Sequence, residues 1–390
     1  MFFVERPYVS NFLKSTLRDY ALPVVRTPVV NEFNLYPGTP LLDEEQACRM
    51  IGETPYPSVY TTSENALSWI SRYPECRHLT EKVELFKNKV AFRTMTRRLF
   101  PDFVFTEVRA EELTTFPFHT ISCPCIIKPS VGFFSMGVYK VTQENEWPGT
   151  IANILTDITQ IRQMYPAEVV SSHSFIIEQC IPGEEFAIDA FYTSTGEPVI
   201  LGIWKHTFSS DEDVSDRVYT ASSAMFEQHL DEFTTFVGEI GRLADVKNFP
   251  VHIELRKAQD GSLLPIEVNP LRFGGWCSTP DLTYLAYGLN PYLAYHYQQR
   301  PDWPELLRGK EGKRFSIIVL DNSTGVPADD IAAFQYDKVL AGFEKPLELR
   351  KIDYTTYPVF GFVFTETREE RKEELEAILH STLQEFITLK

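Results

Sequence analysis

The hydrophobic pattern of this chain changes period several times, and each change predicts an element. Apolar residues alternate with polar ones at Val251, Ile253 and Leu255, Asp260-Gly261 marks a tight turn, and residues 263–268 alternate back. A period of two is that of a half-buried strand, so two such runs around an Asp-Gly pair predict a hairpin. Residues 225–246 carry a different period. Phe226, Leu230, Phe233, Val237, Ile240 and Leu243 form the stripe of an amphipathic helix packed beneath that hairpin. Upstream, residues 123–128 read as a short apolar strand ending in Lys128. Residues 174–178 read as a buried strand before a Pro182-Gly183 turn, with a further strand to Phe191.

Over residues 1–80, short apolar runs (21–25, 58–60) alternate with helical stretches (11–20, 63–71), the pattern of a small α/β domain. A helix follows, then the Lys128 strand and its loop, then a helix over 151–165. The polar segment 206–217, poor in core residues, is expected to be a mobile loop. The last 85 residues or so predict strands at 315–320, 347–352 and 359–365 and a charged helix from 368 to 389, together a C-terminal α+β appendage.

The hairpin carries the chemistry. It folds Glu254 and Glu267 toward one another, and Glu267 and Asn269, two residues apart, leave the same face. Two carboxylates and an amide oxygen are a hard-oxygen set suited to Mg²⁺, with Mn²⁺ as the alternative, bound together with substrate phosphates. A solvated hairpin face is the plain alternative. Against it, Glu267 and Asn269 sit in an apolar strand that leads into Pro270-Leu-Arg272-Phe-Gly274-Gly275.

The loop after Lys128 has the character of an anion site. Gly132 and Gly137 let backbone amides approach phosphate oxygens, Ser130 and Ser135 add hydroxyl donors, and Lys128 adds a point charge. Neither a Gly-x-x-x-x-Gly-Lys-Ser/Thr loop nor a Gly-x-Gly-x-x-Gly fingerprint is present, so a nucleotide here needs another fold. Cys123 and Cys125 flank a proline, but no second Cys or His pair has zinc-type spacing, and they read as strand residues.

Taken in order, Ile-Ile-Lys128-Pro-Ser130 with its glycine-serine loop, Ile-Glu178-Gln179-Cys180-Ile181-Pro-Gly-Glu-Glu185-Phe, and Glu254 with Glu267-Val-Asn269 resemble the ATP-grasp superfamily over residues 85 to 295. The resemblance implies an α+β fold: an α/β N-terminal domain (1–80), then two α+β subdomains clamping ATP, the lid (81–175) and the metal-binding part (176–300), and the small appendage (301–390). It implies that Lys128 holds the α- and β-phosphates and that residues 130–137 cover the triphosphate. Glu178 to Ile181 would be the hinge to adenine, and Glu185 the ribose carboxylate. Glu254, Glu267 and Asn269 would be the metal triad. Lys205 and Lys89 resemble further phosphate-facing lysines, with a strand end and a solvated helix position as their plain alternatives. Arg272 resembles the arginine that stabilises a reacting carboxylate or acyl phosphate, although it lies three residues after Asn269 where two is commoner. His206 and His252 are candidate bases, with structural histidines as the alternative.

The activity implied is that of an ADP-forming ligase, in which ATP activates a small carboxylate for attack by an amine or thiol. A kinase or carboxylase of the same superfamily, or a non-catalytic ATP-binding regulator, is the rival. A regulator has no need of the full metal triad, which this chain keeps. Composition agrees with a soluble enzyme: 390 residues, 43% hydrophobic, can bury a large core around a cleft. A net charge of −17 disfavours nucleic acid and anionic membranes as partners, and it requires ATP to find a local positive pocket. No run of 18 apolar residues occurs, the first residues lack an export signal, and six cysteines suit a reducing cytoplasm, where a homodimer is allowed.

Overall fold

The computed structural model describes residues 1–131, 138–164, 174–210, 213 and 215–390, with side chains left aside for 157–164. Four two-residue strands, Phe2–Phe3 (β1), Val24–Val25 (β2), Leu41–Leu42 (β3) and Tyr60–Thr61 (β4), pair in parallel in the order β3-β2-β1-β4. Helices Asn11–Asp19 and Leu67–Arg72 flank them, as the alternation over the first 80 residues predicts. Ser10 starts the first helix by accepting the Leu13 amide at 3.0 Å.

The segment expected to be the lid forms a four-stranded antiparallel sheet in the order β5-β8-β6-β7. Its strands are Phe105–Arg109 (β5), Cys125–Pro129 (β6), Tyr139–Val141 (β7) and Ser174–Gln179 (β8). Helix Trp147–Met164 covers it, starting four residues before the expected 151. Its Trp147, Ile151 and Ile154 pack on Val108, Cys125, Ile127 and Ile177.

The largest sheet has eight antiparallel strands: Glu184–Tyr192 (β9), Pro198–Thr207 (β10), Val218–Ser222 (β11), Phe249–Lys257 (β12), Leu263–Pro270 (β13), Lys313–Asp321 (β14), Pro346–Lys351 (β16) and Val359–Arg368 (β17). Their order is β13-β12-β9-β10-β11-β14-β17-β16, and Ile331–Phe334 (β15) pairs separately with Ile387–Leu389 (β18). Helix Ser223–Ala244 lies across one face, burying Phe226, Phe233, Val237 and Ile240 of the expected stripe, while Leu230 and Leu243 are half-buried and Phe236 joins the core. Among the described helices none is long and apolar enough to cross a membrane.

Three findings differ from expectation. The C-terminal strands do not stand apart: β14 pairs with β11 from Val218↔Ile318 to Ser222↔Arg314 and carries the sheet across residue 300. Phe315, Ile317, Ile318 and Leu320 are all buried, and a strand covered on both faces belongs inside a sheet. The charged helix expected over 368–389 is only Glu373–Leu379. Leu383, fully buried and left-handed at φ 62°, has its amide bonded to Ser381 Oγ at 2.9 Å, and this local turn reverses the chain into β18. The segment 206–217 is anchored at both ends: His206 and Arg217 are buried, and Asp213 accepts the amides of Ser209 and Ser215 at 2.8 Å each; Asp211, Glu212 and Val214 lie outside the described residues.

Candidate active site

Register decides what meets at the β12–β13 hairpin. Glu254 lies directly opposite Glu267, and His252 opposite Asn269, so all four side chains leave one face. A bulge follows, since Leu255 pairs with Pro265 and leaves Ile266 over. Asn269 is buried, and its amide N–H donates to Glu267 Oε1 at 3.0 Å, which leaves the amide oxygen without a partner among the described residues. Burial and the facing Glu267 push the Glu254 pKa up. Burial also works against charge on Glu267, but Lys89 and Lys87 outweigh it and hold that carboxyl down. Two facing carboxylates and a free amide oxygen are the donor set of a hard divalent cation and fit Mg²⁺. Among the described residues, no group of three or more His, Cys, Asp or Glu is gathered to hold a metal, so a cation at the hairpin would rest on two carboxylates and the Asn269 amide oxygen.

The residues expected to face the nucleotide are built on the β5-β8-β6-β7 sheet. Lys128, near the end of β6, pairs with Glu178 of β8 at 2.6 Å, and Arg93 Nε reaches the other Glu178 oxygen at 2.7 Å. The three side chains are nearly sealed. Burial opposes charge on Glu178, yet Lys128 and Arg93 prevail and hold it down to about 2. Arg93 also donates to the Pro265 carbonyl at 2.6 Å, joining the lid cluster to the metal hairpin. Glu178 therefore faces Lys128, where the resemblance implied a side chain turned to adenine.

Lys89 owes its place to Asn88. The single helix expected there is two, Arg77–Lys87 and Lys89–Thr96, because the Asn88 side chain accepts the amides of Val90 and Ala91 at 3.0 and 3.1 Å and starts the second. Lys89 becomes its first residue, with its amide on the Ser130 carbonyl at 2.8 Å, and Ser130 Oγ meets Ser174 Oγ at 2.6 Å. Burial lowers the Lys89 ammonium to about 8, with Glu267 opposing and Lys128 adding to the shift. Gly132, Ser135 and Gly137 of the expected phosphate loop lie outside the described residues.

At the hinge, Gln179 accepts the Val104 amide at 2.9 Å through its side chain, and the Cys180 amide donates to Pro124 at 3.3 Å. Ile181 is buried, its carbonyl accepts from Arg256 at 2.9 Å, and its N–H has no partner among the described residues. The next turn requires Gly183, at φ 113°, because a Cβ there would stand 2.1 Å from the Lys257 carbonyl oxygen.

Glu185, His206 and Arg256 sit opposite one another on β9, β10 and β12. Glu185 meets His206 Nδ1 at 2.9 Å and Arg256 Nε at 3.0 Å, while His206 Nε2 meets the Ser215 carbonyl at 3.0 Å. With an acceptor on each ring nitrogen the imidazolium is favoured. Burial opposes it, and Glu185 outweighs burial to raise the pKa. Lys205 does not join this group. It lies opposite Phe186, on the face covered by helix Ser223–Ala244, and pairs with Glu184 there. One residue along a strand reverses the face, so His206 takes the place expected for Lys205.

Beyond the hairpin, Arg272 pairs with Glu64 at 3.0 Å, and the second Glu64 oxygen meets Lys87 at 2.5 Å. Burial works against charge on Glu64, but Arg272 and Lys87 hold it down to about 2. Behind the metal strand, fully buried Asp189 accepts from His252 Nδ1 at 2.7 Å, from the Gly274 amide at 2.9 Å and from Thr279 Oγ1 at 2.5 Å. Asp189 and Glu254 thus raise His252 to about 9 against its burial. Sequence reasoning missed Arg93, Arg256, Asp189 and Glu64, and gave Lys87 no role. Arg93 alone had a local signal, its place four residues after Lys89 on one helix face.

Residues 121–280 match a family model described as an ATP-grasp domain, a span that includes Lys128, Glu178, Glu185, Glu254, Glu267, Asn269 and Arg272. A search of curated proteins gives no match to the sequence. Among solved structures, the chain is similar to an L-amino acid ligase from Bacillus licheniformis at 18% identity, over 100% of this chain and 98% of that one, with a TM-score of 0.68. It is similar to N5-carboxyaminoimidazole ribonucleotide synthetase from Thermotoga maritima at 13% identity, over 100% and 98%, with a TM-score of 0.61. It also resembles the biotin carboxylase domain dimer of a 2-oxoglutarate carboxylase from Hydrogenobacter thermophilus, with MgADP and bicarbonate, at 11% identity over 100% and 90% and a TM-score of 0.65. The match to an ATP-grasp domain model spans residues 121–280, and the chain as a whole has the ATP-grasp fold.

Proposed function

We propose that this chain is an ATP-dependent, ADP-forming ligase that activates a small carboxylate as an acyl phosphate and passes the acyl group to an amine or thiol. The observation that carries the reading is the register of the hairpin, with Glu254 against Glu267, Asn269 beside them, and Lys89 acting on Glu267 from the lid side. Glu254, Glu267 and the Asn269 amide oxygen would hold Mg²⁺, which when bound would supply charge neutralisation to the phosphates. Ile181 offers its N–H to the adenine edge and Glu185 its carboxylate to the ribose, while Lys128 and Lys89 neutralise the phosphate chain. The MgADP named with the Hydrogenobacter carboxylase domain supports the same ligand pair.

A carboxylate oxygen of the substrate attacks the γ-phosphorus, the bond to the β,γ-bridging oxygen breaks, and ADP departs. The amine then adds to the carbonyl of the acyl phosphate, loses its proton, and inorganic phosphate leaves. Arg272 and Lys87 supply cations for the charge that develops on these oxygens. The protein's work is positioning and neutralisation, so no Ser-His or Cys-His pair is required. A panel of amino acids and small carboxylates with ATP, Mg²⁺ and hydroxylamine tests the reading. The true substrate gives a hydroxamate and one ADP per turnover. A stable phosphorylated alcohol would replace the ligase by a kinase, and AMP would overturn the acyl phosphate.

A further inference from the structure

The extra residue between Asn269 and Arg272 has a structural consequence. Leu271 is fully buried and left-handed, at φ 62°, a conformation that a branched side chain adopts only where its surroundings impose it. The N-terminal domain supplies that constraint: the Thr61 amide donates to the Leu271 carbonyl at 2.7 Å, while the Leu271 amide donates to the Pro250 carbonyl at 2.8 Å. The turn absorbs the added residue and points Arg272 at Glu64, three residues after Thr61. Glu64 holds the guanidinium by one nitrogen at 3.0 Å, and a second nitrogen donates to the Phe273 carbonyl at 2.9 Å.

These side chains are within reach of a ligand. Glu64, Arg272 and Lys87 keep 16%, 13% and 14% of their side-chain surface open, against 3% for both Glu178 and Arg93. Two cations around one carboxylate leave one positive charge over, on groups whose remaining N–H donors suit a carboxylate or phosphate oxygen.

We propose that Glu64 is a positioning residue for the reaction, a carboxylate of the N-terminal domain that aims the Arg272 guanidinium at the small carboxylate substrate and the acyl phosphate formed from it. The proposal rests on the ligase reading of this site. Glu64 touches no reacting atom; it acts through Arg272, and Lys87 keeps it ionised.

Two readouts on the full chain test it. The first is the rate at which phenylglyoxal modifies Arg272, followed by peptide mass mapping, since a guanidinium released from a carboxylate reacts faster. Glu64→Gln should raise that rate several-fold, with Glu64→Asp in between. An unchanged rate in both variants overturns the proposal, and should Glu64→Gln fail to fold, the Asp variant alone decides. The second is steady-state kinetics with the carboxylate found by the hydroxamate panel. Glu64→Gln should lower kcat/KM for the carboxylate about 10- to 100-fold, the scale of a misplaced catalytic group, while KM for ATP stays within about twofold. An equal loss toward ATP would make Glu64 a prop for the whole cleft and contradict an aiming role. If the unaltered chain forms no hydroxamate from any carboxylate, the ligase reading fails, and the labelling still decides whether Glu64 holds Arg272.

Discussion

Two buried carboxylates in this molecule are built alike and placed differently. Glu178 stands between Lys128 and Arg93, Glu64 between Lys87 and Arg272, and each trio of charges holds its carboxyl down to about 2. The first trio is sealed and tied to the Pro265 carbonyl, so it fixes the lid sheet against the metal hairpin. The second is more open and joins the N-terminal domain to the loop after Asn269. The same ion-pair chemistry is thus sealed from water in one place and partly open in the other, as the proposed aiming role of Glu64 requires. Glu267 lies between them, held ionised by Lys89 and Lys87.

The comparison breaks at its midpoint first. Glu267→Gln removes one carboxylate of the proposed metal site and should lower kcat about 10³-fold, with ATP binding in the absence of metal little changed, because the proposed adenine and ribose contacts lie elsewhere. Normal turnover in this variant, measured by ADP release, would remove the metal assignment. Next, Arg93→Ala leaves Glu178 with Lys128 alone and the Pro265 carbonyl without its donor, a loss of buried charge-assisted hydrogen bonds that costs about 1.5–3 kcal/mol each and is read as a lower thermal midpoint. A variant as stable as the parent would show that Glu178 is not held as described.

Acid should act on both trios together. Both carboxyls have pKa values lowered from 4.5 to about 2, so their stabilisation is complete above pH 4.5 and is lost as pH falls through 2. Each contributes roughly 3 kcal/mol at neutral pH by this linkage. Thermal midpoints between pH 5 and pH 2 should fall steadily, and Glu64→Gln should flatten that slope; a pH-independent midpoint would contradict both pairings. The smallest effect belongs to Lys205, an exposed partner of Glu184 on the helix-covered face. Lys205→Ala should leave kcat and KM within about twofold, since exposed ion pairs contribute little.

What the sequence disclosed follows from how local each signal is. The Glu254–Glu267 pair was legible because a period of two and an Asp-Gly turn fix register within one hairpin. Arg93 and Glu178 are 85 residues apart, and Glu64 and Arg272 are 208, so no window on the chain joins them. Lys205 was misplaced for a subtler reason: its neighbour His206, not Lys205, falls opposite Glu185, and only the pairing with β9 shows which face each takes. The charged C-terminal run has helical composition through 389, yet a buried left-handed Leu383 ends it, a tertiary demand that composition does not carry.

Isotope transfer tests the central claim most directly. If a substrate carboxylate attacks the γ-phosphorus, a carboxylate labelled with ¹⁸O gives up one labelled oxygen to inorganic phosphate, seen by ³¹P NMR as a shifted phosphate signal alongside ADP. The account predicts one ¹⁸O per phosphate released when hydroxylamine or the native amine completes the reaction. Unlabelled phosphate, or label found in AMP with pyrophosphate as the second product, would contradict it.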